Sequence, residues 1–79
     1  MEAKLKLTYH RGGDILSIDL CEPYVGQKTD EIDSGMVAHF NPKTGEVENL
    51  EIMSWSKRLE SGEGVVLPLL ARLRLAVEA

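Results

Sequence analysis

Met36-Val37-Ala38-His39-Phe40-Asn41-Pro42-Lys43-Thr44-Gly45-Glu46-Val47-Glu48-Asn49-Leu50-Glu51-Ile52 is the stretch whose reading decides the fold. Met36, Ala38 and Phe40 alternate with other residues before the polar run Asn41 to Gly45, and Leu50 and Ile52 do so after it. A period of two belongs to a strand with one face in a core and one in water, and two such runs across a Pro/Gly turn form a β-hairpin. Pro42 is preset for position i+1 of a type I turn, and Gly45 is free to take the left-handed conformation that closes the loop.

The alternation extends outward from this hairpin. In Lys4 to Tyr9, Leu5, Leu7 and Tyr9 interleave with Lys4, Lys6 and Thr8; Leu16, Ile18 and Leu20 then interleave with Ser17 and Asp19. His10-Arg11-Gly12-Gly13-Asp14 supplies the turn between them, its glycines tolerant of positive φ. Cys21 to Gln27 is a connection, and Lys28 to Asp33 is a weak, charged strand suited to a sheet edge. A three-residue loop, Asp33-Ser34-Gly35 with Gly35 left-handed, sets Ile32 opposite Met36 and on the apolar side.

Beyond Met53 the alternation breaks. Ser54 or Ser56 is positioned to N-cap a short helix in which Trp55 and Leu59 lie at i and i+4, ended by Ser61-Gly62-Glu63-Gly64. Pro68 suits the first turn of a second helix. On a 3.6-residue period Leu69, Leu70, Leu73, Ala76 and Val77 make one stripe against the sheet, leaving Leu75 on the far side. The expected fold is therefore α+β: one domain over residues 1–79, with an antiparallel β-meander of four to five strands over 4–53, covered by a helical C-terminal region over 54–79.

Composition narrows the function classes. Seventy-nine residues make one domain, and a chain of that size buries only about 60–65% of its unfolded surface, so a partner would add needed stability. Nine Lys and Arg against thirteen Asp and Glu give a net charge of −4, the wrong sign for a domain that binds by neutralising phosphates. A single cysteine, Cys21, excludes an intramolecular disulfide. The first residues lack the apolar core of a signal peptide, and the longest near-apolar run, Val65 to Ala71, is too short for a bilayer. A soluble cytoplasmic protein is the expectation.

The run from Leu7 through Leu59 resembles the small, mostly prokaryotic proteins grouped as domain of unknown function 2283. The matching blocks are Leu7-Thr8-Tyr9 with Asp14-Ile15-Leu16-Ser17-Ile18, Asp30-Glu31-Ile32-Asp33-Ser34-Gly35-Met36-Val37, Phe40-Asn41 with Gly45-Glu46-Val47, and Leu50-Glu51-Ile52-Met53-Ser54-Trp55-Ser56-Lys57-Arg58-Leu59. The chain departs from the usual pattern at Gly12-Gly13, at His39 and in its Leu-rich tail. The resemblance implies a compact strand-rich domain ending in a helix, with no assigned reaction and no catalytic residue to carry over.

Few residues bear chemistry. Glu31 and Asp33 with His39 on the adjoining strand are ligand types for a divalent metal and would centre a small-ligand site or an enzyme, but their spacing matches no closed-site motif, so a solvated acidic patch is the simpler reading. Cys21 with His10 has the residue types of a thiolate–imidazole pair, but a lone Cys at a strand end is simply a small side chain. The Gly-containing turns lack the strand, helix and Lys of a phosphate loop. No cofactor is implied. The functional expectation is a non-enzymatic, self-associating interaction module, with a short toxin-like protein as a further partner. Val65, Val66, Leu67 and Leu75, which one helical stripe does not accommodate, are the expected homodimer interface.

Overall fold

The computed structural model describes residues 3–77. It contains five strands and one short helix in the order β1 Lys6–His10, β2 Ile15–Asp19, β3 Lys28–Asp33, β4 Met36–Phe40, β5 Val47–Ile52 and α1 Trp55–Leu59. All pairings are antiparallel, in one sheet ordered β1-β2-β5-β4-β3. The strands β3, β4 and β5 run as a meander, but β2 turns away from β3 and pairs with β5, so the sheet as a whole is not the expected meander. Residues 20–27 carry the chain from β2, beside one edge of the sheet, to β3 at the other edge.

Register places the apolar rows on one face. Tyr9, Leu16, Ile52 and Met36 are successive cross-strand partners, as are Leu7, Ile18, Leu50 and Ala38. Leu16, Met36, Ala38, Leu50 and Ile52 form the buried core, with Ile18, Ile32, Phe40 and Val47 packed around it. The other face carries Thr8, Ser17, Glu51, Val37 and Glu31 in one row and Lys6, Asp19, Asn49, His39 and Thr29 in the next.

Two register shifts re-aim side chains. Partners pass from Glu31–Val37 to Asp33–Met36, so Ile32 is the additional residue of a bulge. Ile32 reaches the core as expected, but through that bulge and the two-residue turn Ser34-Gly35, with Asp33 rather than Ile32 opposite Met36. Glu48 is the extra residue where partners pass from His39–Asn49 to Phe40–Val47. The loop before it closes as its residues dictate: the Asn41 side-chain oxygen accepts from the backbone N–H of Lys43 and Thr44, and Gly45 has φ 77°.

The C-terminal region departs most from expectation. Among the described residues no second helix follows α1, and those from Gly64 onward carry no regular secondary structure. Val65, Leu67 and Leu69 pack on the core while Val66, Pro68 and Leu70 face solvent, a strand-like alternation. Pro68 therefore stands at a bend in a segment without regular structure, where it has no ladder hydrogen bond to lose, rather than opening a helix. The helical cover reduces to α1, whose Trp55 joins the core while Leu59 is exposed.

Candidate interaction surface

The apolar face is covered over only part of its width. Trp55, Val65, Leu67 and Leu69 shield the ground around Leu50, Ile52, Met36 and Ala38, which are at most 3% exposed. Toward the β1 edge the cover stops: Leu5, Leu7, Tyr9 and Leu20 are exposed, Leu7 at 61%. A second uncovered apolar set lies in the tail, where Leu70, Leu73, Leu75 and Val77 are each more than three-quarters exposed. Tail extension enlarges the molecule: its Cα radius of gyration is 13.5 Å, against about 12 Å for a compact chain of this length. Of the four residues expected at an interface, Val65 and Leu67 serve the chain's own core, whereas Val66 and Leu75 are solvent-facing.

The sheet's opposite face is polar, and its groups satisfy one another. Asn49, 2% exposed, donates to the Asp19 carboxylate at 2.8 Å and to the Cys21 carbonyl at 2.7 Å, and accepts from Gln27 at 2.8 Å. His39 lies between Glu51, 2.7 Å from Nε2, and the Thr29 hydroxyl, 2.8 Å from Nδ1. A carboxylate only accepts, so Nε2 carries its proton toward Glu51 and the hydroxyl serves Nδ1. Both ring nitrogens are thus occupied within the sheet. His10 meets the Ser17 hydroxyl at 3.1 Å.

The alternative metal grouping of Glu31, Asp33 and His39 and the alternative Cys21–His10 pair are not assembled. Glu31 lies opposite Val37, and Asp33, beyond the bulge, lines an open depression with Met36, Arg58 and Val65 rather than sharing the face of His39. Among the described residues no three His, Cys, Asp or Glu side chains are grouped to hold a metal ion. Cys21 is exposed and apart from the His10–Ser17 pair; desolvation, and then the charges of Glu48, Asp19 and Glu22, push its thiol pKa up, away from thiolate character.

Two carboxylates instead act as anchors that sequence reasoning missed. Asp14, at φ 54°, accepts from the Tyr9 hydroxyl at 2.7 Å and from the Ser56 hydroxyl and backbone N–H at 2.7 and 3.0 Å, while its carbonyl accepts from Trp55 N–H at 3.0 Å. Those N–H groups belong to the first turn of α1, so Asp14 performs the capping expected of Ser54 or Ser56: the Ser54 side chain makes no cap bond, and the Ser56 hydroxyl donates to Asp14. Hydrogen bonds from Tyr9 and then Ser56 hold the Asp14 pKa below its ordinary value, and the same bond raises that of Tyr9. Glu48, turned out by its bulge, accepts from Tyr24 at 2.6 Å and from Gln27 at 3.1 Å, pinning the connection between β2 and β3. The bond to Glu48 pushes the Tyr24 pKa up to about 12. An Asp in a glycine turn was the available signal for the cap; its partner, forty-two residues later, was not.

No protein-family model matches the chain, and no curated protein or solved structure matches it. No helix among the described residues is long and apolar enough to cross a membrane.

Proposed function

We propose that this chain is a small protein-interaction module that works by burying the uncovered half of its apolar sheet face on a partner, and that it is related to the domain of unknown function 2283 proteins through the blocks quoted above. The observation that carries the functional reading is Leu7 and Tyr9, exposed on the same face as a core that is otherwise well covered, with Leu5 and Leu20 exposed beside them. Contiguous apolar surface of this kind marks interaction sites, because leaving it wet forfeits about 25 cal/mol for each Å². The polar face supports the same reading from the opposite direction. Ligand and catalytic sites present converging polar groups to an occupant, whereas here Asn49, His39 and Glu51 close on neighbours within the sheet. Among the described residues no buried side-chain polar atom lacks a partner.

Substitution of Leu5 and Leu7 together by Gln tests the reading, because an interaction residue and a core residue respond differently. Denaturation below the dissociation concentration should show the midpoint nearly unchanged, and light scattering at higher concentration should show association weakened. A loss of stability typical of core truncation, about 2 kcal/mol or more, with association unaltered, would assign these side chains to the core and overturn the reading.

A further inference from the structure

The tail has a pattern that the helical reading concealed. From Val65 to Val77 every odd position is apolar, Val65, Leu67, Leu69, Ala71, Leu73, Leu75 and Val77, and the even positions of the distal half hold Arg72, Arg74 and Ala76. That is the period of a strand with one apolar face, and it includes Leu75, which the 3.6-residue stripe left over. The structure already uses the first three positions in this way, with Val65, Leu67 and Leu69 on the core. The remaining odd positions continue the same row with nothing under them: Leu73 is 76% and Leu75 92% exposed.

The sheet offers one edge fit to receive such a strand. β1 and β3 are the two edges. Along β3, Lys28, Asp30, Glu31 and Asp33 make four of six positions charged, of the kind that discourages strand addition, whereas β1 carries Lys6 alone. In and beside β1, Leu5, Leu7 and Tyr9 present an exposed apolar row with the tail's own spacing. Resting on the interaction reading above, we infer that the partner is a second copy of this chain: the distal tail of each copy adds as a strand to the β1 edge of the other, setting Leu73, Leu75 and Val77 beside Leu5, Leu7 and Tyr9. The exchange is reciprocal about a two-fold axis.

Reach and area agree with this arrangement. Residues 70–77, extended, span about 26 Å, enough to run the roughly 17 Å length of a five-residue strand. The exposed apolar residues of the tail and of the β1–β2 region present on the order of 1,000 Å² per chain, against about 800 Å² per partner in a standard stable interface. Strand addition also gives the free backbone groups of β1 hydrogen-bond partners, an aid to a chain whose five buried apolar residues make a small core.

A mixing experiment on the full chain tests the exchange. Light scattering should give twice the chain mass for the unaltered protein at micromolar concentration. It should give a single chain mass for a tail variant, Leu73→Glu with Leu75→Glu, and for an edge variant, Leu5→Glu with Leu7→Glu. Circular dichroism checks the fold of each, and Leu7→Gln alone replaces the edge variant if the double change unfolds it. Mixing the two variants should restore a weaker dimer with one of the two exchanges intact, because the edge variant's intact tail meets the tail variant's intact edge. A dimer indifferent to either variant, or no recovery on mixing, overturns the exchange while leaving self-association in place. A monomeric unaltered protein overturns it too, and trypsin then separates the readings. Ready cleavage after Arg72 and Arg74 leaves the interaction module without this partner, whereas a resistant tail, folded onto its own β1, defeats both.

Discussion

Arg58 shows how one side chain joins segments that no local pattern connects. Its guanidinium donates from Nε to the Met53 carbonyl at 2.8 Å and from Nη2 to the Ser34 carbonyl at 2.6 Å, fastening α1 to the β3–β4 turn. Gly35 makes room for it: at φ 70°, a Cβ built on this glycine would lie 2.6 Å from Nη2. Gly45 has a similar φ of 77° and open space around it. An Ala at Gly45 therefore meets backbone strain alone, about 1–2 kcal/mol, while Gly35→Ala adds the displacement of a hydrogen-bonded guanidinium, each bond to which contributes roughly 1.5–3 kcal/mol. Urea denaturation should rank Gly35→Ala clearly below Gly45→Ala; equal midpoints would remove Arg58 from the account. The turn glycines were readable from sequence because a left-handed residue is a local demand, whereas the guanidinium above Gly35 is a tertiary accident of where α1 lands.

Asp14 is the second residue whose role is tertiary, and it titrates. Its folded-state pKa is depressed, so its contribution to stability is present above the unfolded value of about 3.9 and is lost as pH falls through the folded one. Asp14→Asn should flatten that part of the acid limb of a stability–pH profile, whereas Ser54→Ala should leave it unchanged, Ser54 having no cap bond to lose. An acid limb identical in Asp14→Asn and the parent would place the linkage elsewhere.

At the scale of elements, strands whose apolar residues alternate between clear turns were recoverable from the chain: β1, β2, β4 and β5 follow that rule, and the charged β3 was recognised as an edge. The C-terminal region was not, because Leu-rich sequence satisfies two periods at once. Leu69, Leu70, Leu73 and Val77 fit a helix, and Leu69, Leu73, Leu75 and Val77 fit a strand. Periodicity alone cannot choose between them; contact with the sheet does, since Val65, Leu67 and Leu69 reach the core at alternate positions of a non-helical segment. Leu67→Glu should thus destabilise the single chain itself, by about 2 kcal/mol or more, while Leu75→Glu should leave the denaturation midpoint of the single chain nearly unchanged. Comparable losses from both, measured below the dissociation concentration, would show the distal tail packed on its own sheet. The candidate surface was half readable for the same reason: Leu7 and Tyr9 were assigned to the apolar face and lie there, but only the final position of the cover shows that they are left outside it.

For the molecule as a whole, strand order was the property least accessible to pattern. Each hairpin declares itself through its turn, but nothing local tells β2 to pass over β3 and pair with β5. The connection is held by long-range bonds, Tyr24 and Gln27 to Glu48 and Asn49 to the Cys21 carbonyl, whose partners lie more than twenty residues apart. That order sets a timetable for biosynthesis. The strand that stands at the centre of the sheet is the last of the five to leave the ribosome, so a nascent chain lacking it holds only two separate hairpins, each too small to persist in water. Completion waits for Val47 to Ile52 to insert between them, and the apolar cover from Val65 onward arrives later still.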